Sequence, residues 1–308
     1  MSAPIVDRLA IIGAGLIGSS IARAAREKGL AAQVVVADAD PVVRARVREL
    51  GFADAVPETA AEAARGADIV IACVPVGASG AVAAEIAPVL KAGAVVSDVG
   101  SVKGAVVEAM APHIPPQAHL VPAHPVAGTE FSGPDAGFAS LFENRWCIVT
   151  PPEDADAAAV ERLCALWRGM GANVEIMTAK HHDLVLAITS HVPHLIAYNI
   201  VGTAAHLEET LTSEVIKFSA GGFRDFTRIA ASDPTMWRDV FLNNREAVLE
   251  MLGRFNEDLS QLQRAIRYGD GEALFDHFTR TRAIRRSIIE QGQETAAPDF
   301  GRRSPETK

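Results

Sequence analysis

Gly13-Ala14-Gly15-Leu16-Ile17-Gly18 is the stretch on which the fold of this chain turns. It follows an apolar segment, Leu9 to Ile12, and opens an alanine-rich one, so it reads as a strand-to-helix turn. Asp38, twenty residues after Gly18, closes a second apolar segment, Gln33 to Ala37. Glycines, strand, helix and acid together make a dinucleotide-binding fingerprint, which the glycines alone would not. The first glycine permits a tight turn, the second admits the pyrophosphate, and the third lets helix and strand pack closely. Pyrophosphate charge meets the N–H groups of the helix start. Gly13, Gly15, Leu16, Ile17, Gly18 and Asp38 are therefore candidate cofactor residues. Asp38 is suited to accept ribose hydroxyls and to repel a 2'-phosphate, which favours NAD; Arg44 on the next helix leaves NADP open.

Outward from this turn, β-branched runs alternate with helical stretches, the βαβ pattern of a Rossmann-type, doubly wound parallel sheet in an α/β domain. Predicted strands continue at Ile69 to Cys73, Ala94 to Asp98, His119 to Pro122, Trp146 to Thr150 and Asn173 to Met177, with a helix from Ala155 to Met170. Val74 and Pro75 follow a strand's carboxyl end, where such sheets bind cofactors, and read equally well as an ordinary loop. After Thr178 only helical signals remain, starting with Lys180 to Leu207. A long helix begins at Pro234 behind an Asp233 cap. Its apolar stripe, Trp237, Phe241, Val248, Met251, Phe255, Leu259, Leu262 and Ile266, is interrupted by polar Asn244. Unbroken to Tyr268, this helix would be roughly 50 Å long. Such a stripe predicts a homodimer built from an all-helical dimerisation domain. The expected division is 1–178 for the cofactor domain, 179–291 for the helical domain and 292–308 for a disordered tail.

A net charge of −9 over 308 residues argues against a nucleic-acid partner and requires any anionic substrate to find a local positive pocket. Cys73, Cys147 and Cys164 lack metal-type spacing; sparse, odd cysteines suit a reducing cytoplasm. Ile69 to Leu90 is apolar but broken by Pro75, Gly77, Gly80 and Pro88, so no membrane span is expected there.

His124, in Ala123-His124-Pro125-Val126-Ala127-Gly128-Thr129-Glu130, is held between a proline and a glycine-containing turn and suits proton transfer. Ser101, in Asp98-Val99-Gly100-Ser101-Val102-Lys103, leaves a strand's carboxyl end beside the expected nicotinamide position, a candidate cofactor contact whose hydroxyl would bond substrate, orient a base or simply cap a helix. Gly222-Phe223-Arg224-Asp225-Phe226-Thr227-Arg228 supplies an anion clamp. Cofactor, proton acceptor and clamp are the parts of a substrate-oxidising dehydrogenase. His191 and His194 lie three apart on one helix, without the further ligands a metal site needs, and no metal is expected. His181-His182-Asp183 reads as a solvated helix start, and Trp237 as a core or dimer contact.

These motifs, with Ser132-Gly133, Ser190 to His194, Ser232-Asp233-Pro234 and Met236-Trp237-Arg238, resemble in order the prephenate and arogenate dehydrogenase family of tyrosine biosynthesis. The resemblance covers nearly the whole chain up to the tail. It implies oxidative decarboxylation of a 4-hydroxycyclohexadienyl carboxylate, with hydride passing from C4 to NAD while the ring carboxylate leaves as carbon dioxide. His124 would take the 4-hydroxyl proton, Ser101 would bond the same hydroxyl, and Arg228 would hold a substrate carboxylate. The resemblance also places His191, His194 and Thr129 at the substrate pocket, His194 the stronger contact of the two histidines. Glu130 and Asp225 would pair with Arg228 or a neighbouring cation and gate entry, or serve as a plain salt bridge. Two other readings stay open: a β-hydroxyacid-type dehydrogenase, which would use a lysine such as Lys180, and a non-catalytic NAD sensor. The substrate side chain carries a keto group in prephenate and an amino group in arogenate, and the resemblance covers both.

Overall fold

A computed structural model describes residues 3–129, 131–206, 217 and 221–290, which divide after Met251 into two compact units. The domain boundary expected at 178/179 lies inside the first unit, and both Glu130 and the tail 292–308 fall outside the described residues.

The first unit is built on β1 (Val6–Ile12), β2 (Ala31–Ala37), β3 (Ile69–Ala72), β4 (Val95–Asp98) and β5 (His119–Leu120), all parallel, in the order β2-β1-β3-β4-β5. Leu9 to Ile12 are buried on both faces, which explains why these strands read as continuous apolar runs. The fingerprint turn leads into α1 (Leu16–Glu27), and α2 (Pro41–Leu50) follows β2. Asp40 caps α2 through the Val42 amide, with Pro41 at the first helical position. Beyond these come α3 (Ala60–Ala64), α4 (Ser79–Ile86), α5 (Gly104–Met110) and α6 (Ala157–Gly169). One face of the sheet packs with Ile21, Leu163 and Trp167; the other packs with Ala63, Ile86 and Met110. Fully burying side chains such as Leu163 and Ile86 contributes about 1.5–3 kcal/mol each.

The sheet does not run on through the later strands. A second sheet joins β6 (Ala123–Pro125), β7 (Trp146–Val149) and β8 (Asn173–Ile176) in that order, with β6 antiparallel to β7. The segment read as one strand, His119 to Pro122, ends at Leu120, because Pro122 has no N–H to extend the ladder. The chain then re-forms as β6, which carries His124 opposite Ile148. Pro125 is tolerated because β6 is an edge strand.

The helical half of this unit opens with α7 (Ala179–Leu186), capped by Thr178, and continues as α8 (Val192–Ala205). A π-helical turn, Ala187–His191, joins them. Pro193, at the start of α8, lacks the N–H that a regular helix would use there, a recognised cause of such turns. Helices α9 (Gly221–Thr227) and α10 (Pro234–Asn243) follow, and Asp233 caps α10 through the Met236 amide as expected.

The long helix predicted from Pro234 to Tyr268 is broken. Asn244 takes φ −110° and ψ 33°, ending α10, and α11 (Arg245–Tyr268) starts anew. The Asn244 side chain is spent on residues across the site, described below. Trp237, Val248 and Met251 are buried, so the amino-terminal part of the stripe is internal core rather than subunit interface. In the second unit, the rest of α11 and α12 (Gly271–Glu290) leave Leu259, Ile266, Phe275, Phe278 and Ile284 exposed.

Candidate active site

At the end of β1 the chain turns at Gly13 with φ +103°, and a Cβ there would lie 2.3 Å from the Cys73 carbonyl oxygen. A Cβ on Gly18 would lie 1.9 Å from the Gly13 carbonyl oxygen, so α1 reaches β1 only as glycine. Gly15 instead faces open space and forms the amino-terminal cap of α1, flanked by half-buried Leu16 and Ile17. The free helix start and the missing side chain are what an anionic pyrophosphate needs. Asp38 is anchored at the end of β2: its Oδ2 accepts the Ala14 amide at 2.8 Å and its Oδ1 the Asp40 amide at 2.9 Å. Arg44 folds back onto the same corner, donating to the carbonyls of Asp38 (2.8 Å) and Ala39 (2.9 Å). Val74, half-buried, and Pro75, exposed, follow β3. This cradle fits a dinucleotide.

The chemical centre is organised by His182, which the sequence reads as part of a solvated helix start. His124 is buried, and its Nδ1 lies 2.9 Å from Nε2 of His182. His182 is fully buried, and its Nδ1 lies 2.8 Å from Oδ1 of Asp183. A carboxylate only accepts, so His182 Nδ1 carries hydrogen and His182 Nε2 is the acceptor. His124 Nδ1 must then donate, leaving an unprotonated Nε2 on His124. Burial, then the neighbouring His182, Lys103 and His191, holds His124 well below its ordinary value of 6.5, so it stays neutral. Burial likewise lowers His182, against the opposing hydrogen bond to Asp183. Burial alone would raise the Asp183 carboxyl, but hydrogen bonds from His182 and from the Lys103 and Gly104 amides outweigh it and lower it. Those two amides, at 2.7 and 2.8 Å, open α5, so Asp183 caps that helix from a distant element. Ser101 is therefore not the cap of α5.

Strand β6 is pinned from behind. The Lys103 ammonium is fully buried, paired with Asp98, and donates to the Ala123 carbonyl at 2.7 Å. Asp98 in turn accepts the Ala123 amide at 3.2 Å and the Gly100 amide at 2.7 Å. Both main-chain groups of the residue before His124 are thus gripped by one buried ion pair. Burial lowers the Lys103 pKa, while Asp98 raises it. Lys180, the lysine of the β-hydroxyacid-type reading, is exposed.

On the helical side, His191 is fully buried and His194 half-buried. His191 lies beside the Ser101 backbone, and burial pushes it down to about 4. His194 donates from Nδ1 to the Ser190 carbonyl at 2.8 Å and stacks on Trp237 with ring centroids 3.6 Å apart. Trp237 packs against Val102, next to Ser101, so it is core with one ring face on a site histidine. Arg228, half-buried in a 3-10 turn, Arg228–Ala231, is close enough to lower His194 further, after burial. Ser101, His124, His191, His194 and Arg228 are thereby brought into one neighbourhood. Thr129 is half-buried and accepts the Phe131 amide at 3.3 Å. Asp225 is exposed and pairs with Arg224 at 3.7 Å. Glu130 lies outside the described residues.

Residues 21–176 match the prephenate dehydrogenase nucleotide-binding domain, and residues 178–280 match the prephenate dehydrogenase dimerization domain. The chain belongs to the prephenate dehydrogenase family. It is 42% identical over 284 residues to the cyclohexadienyl dehydrogenase of Zymomonas mobilis, covering 92% of this chain and 97% of that one. It is 33% identical to the prephenate dehydrogenase of Bacillus subtilis, over 96% of this chain and 79% of the relative. The structure of A. aeolicus prephenate dehydrogenase with hydroxyphenyl propionate and NAD+ superposes with a TM-score of 0.85 at 31% identity, covering 92% of this chain and 98% of that one. The family's nucleotide-binding domain and an oxidoreductase assignment account for the cradle, and the two matched domains correspond in order to the α/β and helical parts seen here.

Proposed function

We propose that this chain catalyses the oxidative decarboxylation of prephenate, arogenate or both, with NAD as hydride acceptor, in tyrosine biosynthesis. The observation that carries the reading is the His124–His182–Asp183 relay, which leaves a neutral imidazole with an unprotonated Nε2. His124 Nε2 takes the proton of the substrate's 4-hydroxyl, and the Ser101 hydroxyl orients that oxygen. Arg228, with its forked donors, holds a substrate carboxylate, and His194 and His191 line the same pocket, with Thr129 at its rim. Glu130 and Asp225 shape its entrance, Asp225 through Arg224. Bound NAD supplies the acceptor for the hydride from C4. The electron pair of the C1–carboxylate bond moves into the ring as carbon dioxide leaves, and the C4 oxygen takes its proton back from His124 to become a phenol. The positive charge that His124 gains with the proton is offset by the Asp183 carboxylate, reached through His182.

Gly13, Gly15, Leu16, Ile17, Gly18, Val74 and Pro75 form the cofactor cradle, and Asp38 favours NAD. Arg44 is already at the ribose corner, which keeps NADP use open. The division at 178/179 and a homodimer through the helical half complete the proposal. The helix-rich stretch Ala179–Ala205 is long and apolar enough to cross a membrane by length and composition. Its buried residues include His182 and His191, and its exposed Leu184, Ile188, Ile200 and Val201 suit a second copy. The cysteines Cys73, Cys147 and Cys164 are free thiols, compatible with a cytoplasmic enzyme. The test is NADH formation on mixing protein, NAD and either prephenate or arogenate. NADH with at least one supports the reading, and none with either rejects it.

A further inference from the structure

Asn244 breaks the α10–α11 helix and is buried at the site, where its Nδ2 lies 2.9 Å from the Asp183 main-chain oxygen and 3.0 Å from Nδ1 of His191. A carbonyl oxygen only accepts, so the amide nitrogen is the end that faces it. The second hydrogen of that nitrogen is then given to His191 Nδ1, which must be an acceptor. A neutral imidazole holds one hydrogen, and on His191 it sits on Nε2. That Nε2 is buried with no hydrogen bond of regular geometry, and the Ser101 backbone is near enough only to raise the His191 pKa a little against burial. An orphaned donor in a fully buried side chain is costly unless something completes it.

We propose that Asn244 is a positioning residue that fixes His191 as an Nε2–H donor to an oxygen of a bound ligand. Asp183 thereby sets two histidines in opposite senses. Its carboxylate, through His182, keeps His124 Nε2 an acceptor, and its carbonyl, through Asn244, keeps His191 Nε2 a donor. The oxygen belongs either to the cyclohexadienyl substrate or to the nicotinamide carboxamide, and that identity rests on the reaction proposed above.

Histidine-labelled enzyme read by nitrogen NMR tests the tautomer without turnover, so failure of the reaction and failure of this inference are separable. The expected result is His191 protonated on Nε2 alone in the free enzyme. Its Nε2 signal should shift on adding NAD if the carboxamide is the acceptor, or on adding 4-hydroxyphenylpyruvate to the NAD complex if the ring compound is. A hydrogen on Nδ1, or no shift with either ligand, overturns the proposal. Asn244→Ala should lower kcat/KM about tenfold and leave His191 split between tautomers, the loss being that of about one hydrogen bond. His191→Gln, which restores an amide donor near Nε2, should exceed His191→Leu by a similar factor. Folded Asn244→Ala with unchanged kcat/KM, or Gln no better than Leu, also overturns it.

Discussion

Replacing His182 tests whether the relay, rather than His124 alone, makes the base. In His182→Leu, the Nδ1 hydrogen of His124 loses its acceptor at 2.9 Å inside a fully buried contact. Nothing then holds that hydrogen on Nδ1, and each molecule with it on Nε2 has no lone pair for the substrate hydroxyl. A buried donor stripped of its partner costs ~1–3 kcal/mol. At ~1.36 kcal/mol per decade this lowers kcat by about five- to 150-fold. His182→Gln should recover most of that loss, because its amide oxygen accepts from His124 while its NH2 donates to Asp183. The assay is initial NADH formation at saturating NAD and prephenate, with NAD binding measured separately and expected to be unchanged. A folded His182→Leu enzyme with wild-type kcat, or a Gln variant as slow as the Leu variant, would refute the relay.

Arg228→Ala should raise the half-saturating substrate concentration with little change in NAD binding, as steady-state kinetics will show; a loss confined to NAD binding contradicts the clamp. His124 is depressed below 6.5, chiefly by burial, so kcat/KM should stay level as pH falls through 6.5 and decline only at lower pH. His191 has a folded value of about 4 against 6.5 unfolded. The neutral form is favoured by folding, so this stability is fully present above 6.5 and is lost as pH falls from 6.5 through about 4. Urea titrations over that window should show a loss on the order of 3 kcal/mol from this group. Gly18→Ala places a Cβ 1.9 Å from the Gly13 carbonyl oxygen, so thermal melts should show at least the ~1–3 kcal/mol of an overpacked core, with NAD affinity falling too.

The cradle was legible because it rests on local steric rules. A positive φ at Gly13 and close approach at Gly18 demand glycine wherever they occur, and Asp38 sits at a fixed spacing behind them. The Asp233-Pro234 cap was readable for the same reason. Strand β6 was not, since three residues ending in proline carry no periodicity, and their partner β7 lies far along the chain. His182 was misread because it sits beside exposed His181 and half-buried Asp183; only the fold turns one of three adjacent polar residues inward. The Asn244 break had a visible sign, a polar residue in an apolar stripe. Its meaning depended on His191 and Asp183, more than fifty residues upstream. Long-range contacts of polar side chains leave almost no trace in sequence, and here they set the protonation of the site.

The most direct measurement is the turnover of His124→Asn, followed as NADH at saturating NAD and prephenate. Proton removal by His124 predicts a fall in kcat of about 10² to 10⁴ with NAD affinity intact. Turnover equal to the unaltered enzyme would contradict the account.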